Sequence, residues 1–135
     1  MSNNLRVFVY GTLKPGEVNY QRYCQGKVLE EKSAIAYGTL FNLSLGYPAM
    51  TLGENIVRGF VLTFPDSSIF SLLDDLEDYN PHRLLEENEY YRQEIEIYDL
   101  DGKSLGLAWA YLMTLTQIHR FNGAIIPSGQ WTVDS

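Results

Sequence analysis

A carboxylate on an apolar helical face is the feature of this sequence with the most chemistry in it. Pro65-Asp66-Ser67-Ser68 reads as a helix start, because Asp66, Ser67 or Ser68 could accept an orphan backbone N–H. The helix is expected to run to about Asp78, where Tyr79-Asn80-Pro81 stops it, since the residue before a proline avoids the helical region. Successive residues turn by about 100° around a helix. Leu72, Leu76, Ile69, Leu73 and Phe70 then form one apolar arc, and Asp74, Asp78, Ser71 and Asp75 fill the opposite side. Glu77 falls between Leu73 and Phe70, on the apolar arc. Desolvation there disfavours the charged form and raises the pKa, which suits proton transfer near neutral pH. The same spacing leaves a plainer arrangement open, in which Glu77 lies at the helix end and bends out to water.

Other reactive side chains offer less. There is no Gly-x-Ser-x-Gly elbow, and Cys24, the only cysteine, has no activating neighbour in the chain. His82 and His119 are the only histidines, and both read as surface or loop residues. Two isolated histidines and one cysteine do not make a usual zinc site, and a helix points Asp74, Asp75, Glu77 and Asp78 in different directions. No metal is therefore expected. The acidic run Glu86-Glu87-Asn88-Glu89 reads as a solvated loop. Tyr10-Gly11-Thr12-Leu13 lacks phosphate-loop spacing. A strand that ends in Gly-Thr nevertheless exposes backbone N–H groups, which can hold a carboxylate or an oxyanion. An ordinary strand-to-turn glycine accounts for the same residues.

These groups need elements to place them. Leu5 to Tyr10 is rich in β-branched and aromatic residues and reads as a strand, followed by a turn at Lys14-Pro15-Gly16. Tyr20 to Cys24 is a candidate short helix. Strands are expected over Ala34–Leu43 and Ile56–Thr63, joined by a turn at Gly46-Tyr47-Pro48, with Gly59 as a candidate bulge. After the 66–78 helix, Arg83 to Glu89 is a polar loop. Tyr91–Tyr98 and Leu105–Leu112 form a hairpin around Asp101-Gly102. The tail loop Pro127-Ser128-Gly129-Gln130-Trp131 is packed down by its tryptophan. With 135 residues and 45% hydrophobic residues the chain can bury a real core, and no linker divides it. One domain over residues 1–135 is expected.

Charge narrows the partners. The formal net charge is −7, and lysine and arginine are scattered. Nucleic-acid binding normally needs a basic stripe, so no nucleic-acid partner is expected. No apolar run approaches the roughly 20 residues of a membrane span. Met1-Ser2-Asn3-Asn4 is polar and leads straight into a strand, unlike a signal peptide. A single cysteine suits a reducing compartment. The expectation is a cytoplasmic protein without membrane contact, and nothing demands more than a monomer.

Five pieces of the chain, in order, resemble the γ-glutamylcyclotransferase-like family, which includes γ-glutamylamine cyclotransferases and AIG2-like proteins. Val7-Phe8-Val9-Tyr10-Gly11-Thr12-Leu13-Lys14-Pro15-Gly16 is similar to the family's substrate loop. Leu73-Asp74-Asp75-Leu76-Glu77 is similar to its catalytic glutamate helix, and Tyr90-Tyr91-Arg92 to the Tyr-x-Arg opening the next strand. Gly46-Tyr47-Pro48-Ala49 and Ile126-Pro127-Ser128-Gly129-Gln130-Trp131 resemble two further landmarks, with Gln130 in place of the usual Asp.

The resemblance implies an α+β fold, a small mixed β-barrel flanked by short helices. It implies that Glu77 is the general acid–base residue. The backbone of Gly11, Thr12 and Leu13 would hold the substrate's carboxylate or the developing oxyanion, and Tyr10 would wall the pocket. Tyr90, Arg92 and Tyr111 are further substrate-binding candidates, although Arg92 could equally pair with a neighbouring acid. The implied reaction cyclises a small-molecule γ-glutamyl amine or γ-glutamyl amino acid to 5-oxoproline and releases the amine, without a cofactor. A module that binds or senses a small carboxylate on the same fold remains the alternative.

Overall fold

The computed structural model describes residues 4–84 and 87–132. Met1 to Asn3 of the polar start and Glu86 of the acidic run lie outside the described residues. The elements are β1 (Leu5–Val9), a π-type turn over Tyr20–Cys24, β2 (Glu30–Asn42), β3 (Pro48–Phe64), α1 (Ile69–Leu76), β4 (Tyr91–Tyr98), β5 (Ser104–Leu112), α2 (Leu115–Arg120) and β6 (Ala124–Ile125).

Five strands close into a mixed barrel. β1 runs antiparallel to β3 (Leu5 opposite Phe64, Val9 opposite Phe60) and parallel to β5 (Val7 opposite Trp109). β5 pairs with β4, β4 touches β2 at Ile35 and Tyr98, and β2 returns to β3. Closure leaves no free edge among these five, and β6 adds to the end of β2 at Phe41 and Asn42.

Alternation along the strands builds two cores. Phe8, Tyr10, Leu40, Met50, Val57, Ile97 and Leu112 come from all five strands or their ends and fill the barrel. Val7 and Val9 point the other way. They form a second layer with Leu62, Phe64, Leu73 and Met113, beneath α1. This two-sided burial explains why Val7–Tyr10 reads as a continuous apolar run. Trp131 joins the barrel core, as the sequence suggests, and the loop before it bonds across β2 and β3 through Ile126 to Leu40 and Arg58 to Gly129.

Two expectations change. β2 and β3 are much longer than predicted, forming one hairpin from Glu30 opposite Thr63 to Asn42 opposite Pro48. The bulge in it falls at Tyr37/Gly38, not at Gly59. Gly59 serves close approach instead: a Cβ there would stand 2.2 Å from the Val9 carbonyl oxygen. The helix is also shorter than 66–78. No helix among the described residues is long and apolar enough to cross a membrane.

Candidate functional site

The early end of α1 places its carboxylate. Glu77 caps the helix, its N–H donating to the Leu73 carbonyl at 2.9 Å. Asp78 then takes a left-handed conformation at φ 54°, and the Tyr79 N–H returns to the Asp74 carbonyl at 2.9 Å. This is the Schellman closure, built on aspartate instead of glycine. Because the chain reverses here, the Glu77 carbonyl is free to accept from the Tyr90 N–H at 3.3 Å, and the Asp78 carbonyl from the Glu89 N–H at 3.3 Å. The helix end is thus stitched to the segment that opens β4.

Glu77 lines a cavity of about 160 Å³, together with the Tyr10–Leu13 stretch, Tyr47, Pro48, Glu89, Tyr90 and Tyr111. The residue is half-buried. Burial pushes the Glu77 carboxyl up to about 8, and the neighbouring Glu89 charge adds to the effect. Its carboxyl is therefore mostly protonated at neutral pH.

Facing it is the loop after β1. The Lys14 N–H bonds the Gly11 carbonyl at 3.0 Å and closes a tight turn. The Thr12 carbonyl takes the N–H groups of Asn19 and Tyr20, and the Asn19 side chain donates to Thr12 Oγ1 at 2.8 Å. The N–H groups of Gly11, Thr12 and Leu13 find no acceptor among the described residues. Gly11 is required by contact: a Cβ would lie 2.7 Å from Pro48 Cγ in the cavity wall. Lys14 is buried below the loop, with Nζ donating to the Trp131 carbonyl.

The tyrosines are walls with their protons directed into the protein. Tyr10 donates to the Tyr111 carbonyl at 2.5 Å, Tyr90 to the Pro48 carbonyl at 2.7 Å, and Tyr111 to Asp74 Oδ1 at 2.6 Å. Burial raises the pKa of all three well above the ordinary phenol value, with the Glu77 carboxylate contributing. They stay protonated and do not act as bases.

The structure thus brings Glu77, Tyr10, Gly11, Thr12, Leu13, Tyr90 and Tyr111 to one cavity and leaves Arg92 out of it. Arg92 bonds Asp74 through Nε at 3.0 Å and lies over the Phe70 ring at 3.9 Å. Of the two roles open to it, the pairing with a neighbouring acid is the one formed. Cys24 is buried and pushed up to about 11, and His82 and His119 are exposed.

Sequence reading missed Glu89, which it placed in a solvated loop. Asn88 before it is buried, its side chain bridging Asn80 while its carbonyl takes the Gln117 side chain at 2.7 Å. That anchor turns Glu89 to the cavity, where it accepts from the Tyr47 hydroxyl. A run of four polar residues has no periodicity to reveal this. The only hint was the adjacent strand start at Tyr90-Tyr91.

Comparison with known proteins follows the same outline. Residues 7–133 match the family model described as gamma-glutamyl cyclotransferase, AIG2-like. A gamma-L-glutamyl-butirosin B gamma-glutamyl cyclotransferase from Niallia circulans is 31% identical over 106 residues, 78% of this chain. The chain spans 65% of that relative's length. A Vibrio cholerae serotype O1 protein assigned by name to the gamma-glutamylcyclotransferases is 33% identical over 125 residues, covering 93% of each chain. An AIG2-like protein from Mus musculus has the same fold, with a TM-score of 0.73 at 21% identity over 96% of this chain and 89% of that one.

Proposed function

This chain belongs to the gamma-glutamyl cyclotransferase, AIG2-like family, and from that premise we propose that it closes a γ-glutamyl group into 5-oxoproline and releases the attached amine. The substrates are γ-glutamyl amines or γ-glutamyl amino acids. The observation that carries this reading is geometric: Glu77 lines one cavity with Gly11, Thr12 and Leu13, whose N–H groups find no acceptor among the described residues, and burial there pushes the Glu77 carboxyl up to about 8.

The nucleophile is the substrate's own α-amine, whose ordinary pKa is near ~8. Glu77 holds its proton about as tightly, so a proton passes between the two at little cost. As the α-nitrogen bonds to the γ-carbonyl carbon, the Glu77 carboxylate takes a proton from it. The bond from that carbon to the leaving nitrogen then breaks as Glu77 delivers the proton there. Glu77 ends as it began, and the scheme uses no cofactor. One positioned acid–base group of this kind typically supplies ~10²–10⁴-fold. The loop N–H groups supply donors for the substrate's carboxylate or for the carbonyl oxygen as it becomes an oxyanion, and the tyrosine walls fold the glutamyl chain toward ring closure.

Product identity tests the reading. Purified protein is incubated with γ-glutamyl amides, and 5-oxoproline, glutamate and free amine are quantified. Equal amounts of 5-oxoproline and amine are expected. Glutamate with amine would mean hydrolysis, and ligand bound but recovered unchanged would mean a binding module.

A further inference from the structure

The cavity contains two carboxylates, Glu77 and Glu89, and among its described lining residues there is no lysine, arginine or histidine. The nearest buried cation, Lys14, turns its ammonium away to the Trp131 carbonyl. Glu89 presents one oxygen to the Tyr47 hydroxyl, and its second oxygen has no partner among the described residues. Asn88 and the bond from the Glu89 N–H to the Asp78 carbonyl hold this carboxylate in place.

From this arrangement we infer that Glu89 is a specificity-determining residue that selects leaving amines by charge, favouring cationic over neutral and neutral over anionic ones. The inference rests on the reaction proposed above and narrows its substrate class to γ-glutamyl amines. The glutamyl head is a zwitterion and adds no net charge, and the Gly11–Leu13 N–H groups are available to its carboxylate. A γ-glutamyl amino acid brings a second carboxylate on the leaving side. That charge has no cation to meet and a fixed carboxylate close by. A leaving group ending in an ammonium meets the open oxygen of Glu89 as a charge-assisted hydrogen-bond acceptor. Like and unlike charges several ångströms apart in such a site separate the two cases by about tenfold or more.

Three near-isosteric substrates test this: γ-glutamyl-ethylenediamine, γ-glutamyl-propylamine and γ-glutamyl-glycine. Their kcat/KM ratios are measured on one enzyme at one pH, so that any effect of Glu89 on Glu77 cancels. The wild type is expected to prefer the first over the last by about a hundredfold, with the neutral one between. Glu89→Gln is expected to compress that range by about tenfold, and Glu89→Asp to restore part of it. Added salt should compress the wild-type range as well, which keeps the test available if Glu89→Gln does not fold. A range untouched by both the variant and salt, or a preference for γ-glutamyl-glycine, overturns the inference. Dissociation constants of the same three compounds for Glu77→Gln give the charge order without turnover. If the wild type turns nothing over but this order appears, the cyclisation reading fails and the charge reading stands. If turnover occurs and the order is absent, the reverse holds.

Discussion

Tyr111 on β5 donates its hydroxyl to Asp74 Oδ1 at 2.6 Å, and Arg92 closes on the same oxygen at 3.0 Å. Asp74 sits on α1 three residues before Glu77, so this triad ties the helix to the barrel wall that faces the cavity. Arg92 also covers Phe70 and approaches Trp109. The arginine is a brace for the helix that presents the catalytic candidate.

Arg92→Gln should therefore act on stability. The pair is only partly exposed, at 21% and 18% for the two side chains, and breaking it also loses the stacking. A loss of about 2 kcal/mol is expected in denaturant unfolding, with KM within a few-fold of wild type. A large rise in KM at unchanged stability would instead return Arg92 to the binding site.

The pH profile should report Glu77. The reactive form, a Glu77 carboxylate with a neutral substrate amine, carries two protons fewer than the Glu77 acid with a substrate ammonium, so kcat/KM should rise with pH through about 8. Glu89, Tyr10, Tyr47, Tyr90 and Tyr111 are the titratable groups that line the cavity with Glu77. The tyrosines remain neutral in this range. Glu89→Gln removes the second cause of the Glu77 shift and leaves burial, the first. Its rising limb should move to lower pH by less than about one unit. A shift to higher pH would contradict the assignment.

Stability should carry the opposite slope. Glu77 has a folded pKa raised from 4.5 to about 8. Between those values the unfolded chain releases the proton and the folded one keeps it. Stability from this group is fully present below pH 4.5, falls as pH rises, and levels off above 8. The slope is about 1 kcal/mol per pH unit after allowing for water in the cavity. Subtracting the Glu77→Gln stability curve from that of the wild type isolates it. A flat difference between pH 5 and 8 would mean a solvated Glu77.

Gly11→Ala tests the loop. Its Cβ would meet Pro48 Cγ at 2.7 Å and push the loop from the wall. Overpacking of this kind costs about 1–3 kcal/mol. Displaced N–H groups should also raise KM several-fold or more. Unchanged KM would remove these amides from substrate binding.

What the sequence made legible follows from where periodicity operates. β1 and the β4–β5 hairpin carry strong strand patterns and appear close to where they were expected. Glu77 was legible because an eight-residue helix still separates its faces, even though the helix stops at Leu76. The ends of β2 and β3 were not, because Glu30–Ser33 and Leu52–Asn55 are exposed and their polar residues look like loop, while Pro48–Met50 follow directly on a turn signal. The role of Arg92 depended on a partner 18 residues away. Glu89 was hidden for a related reason: its direction is set by Asn88 and Gln117, 29 residues apart, and local pattern cannot supply that contact.

The central claim is that Glu77 moves the proton in cyclisation. Its most direct test is the single-turnover rate of 5-oxoproline formation by Glu77→Gln, with substrate affinity measured on the same preparation. Retained binding with a rate lower by about 10²–10⁴-fold is predicted. Retained binding with a near wild-type rate would contradict the claim and place the chemistry elsewhere.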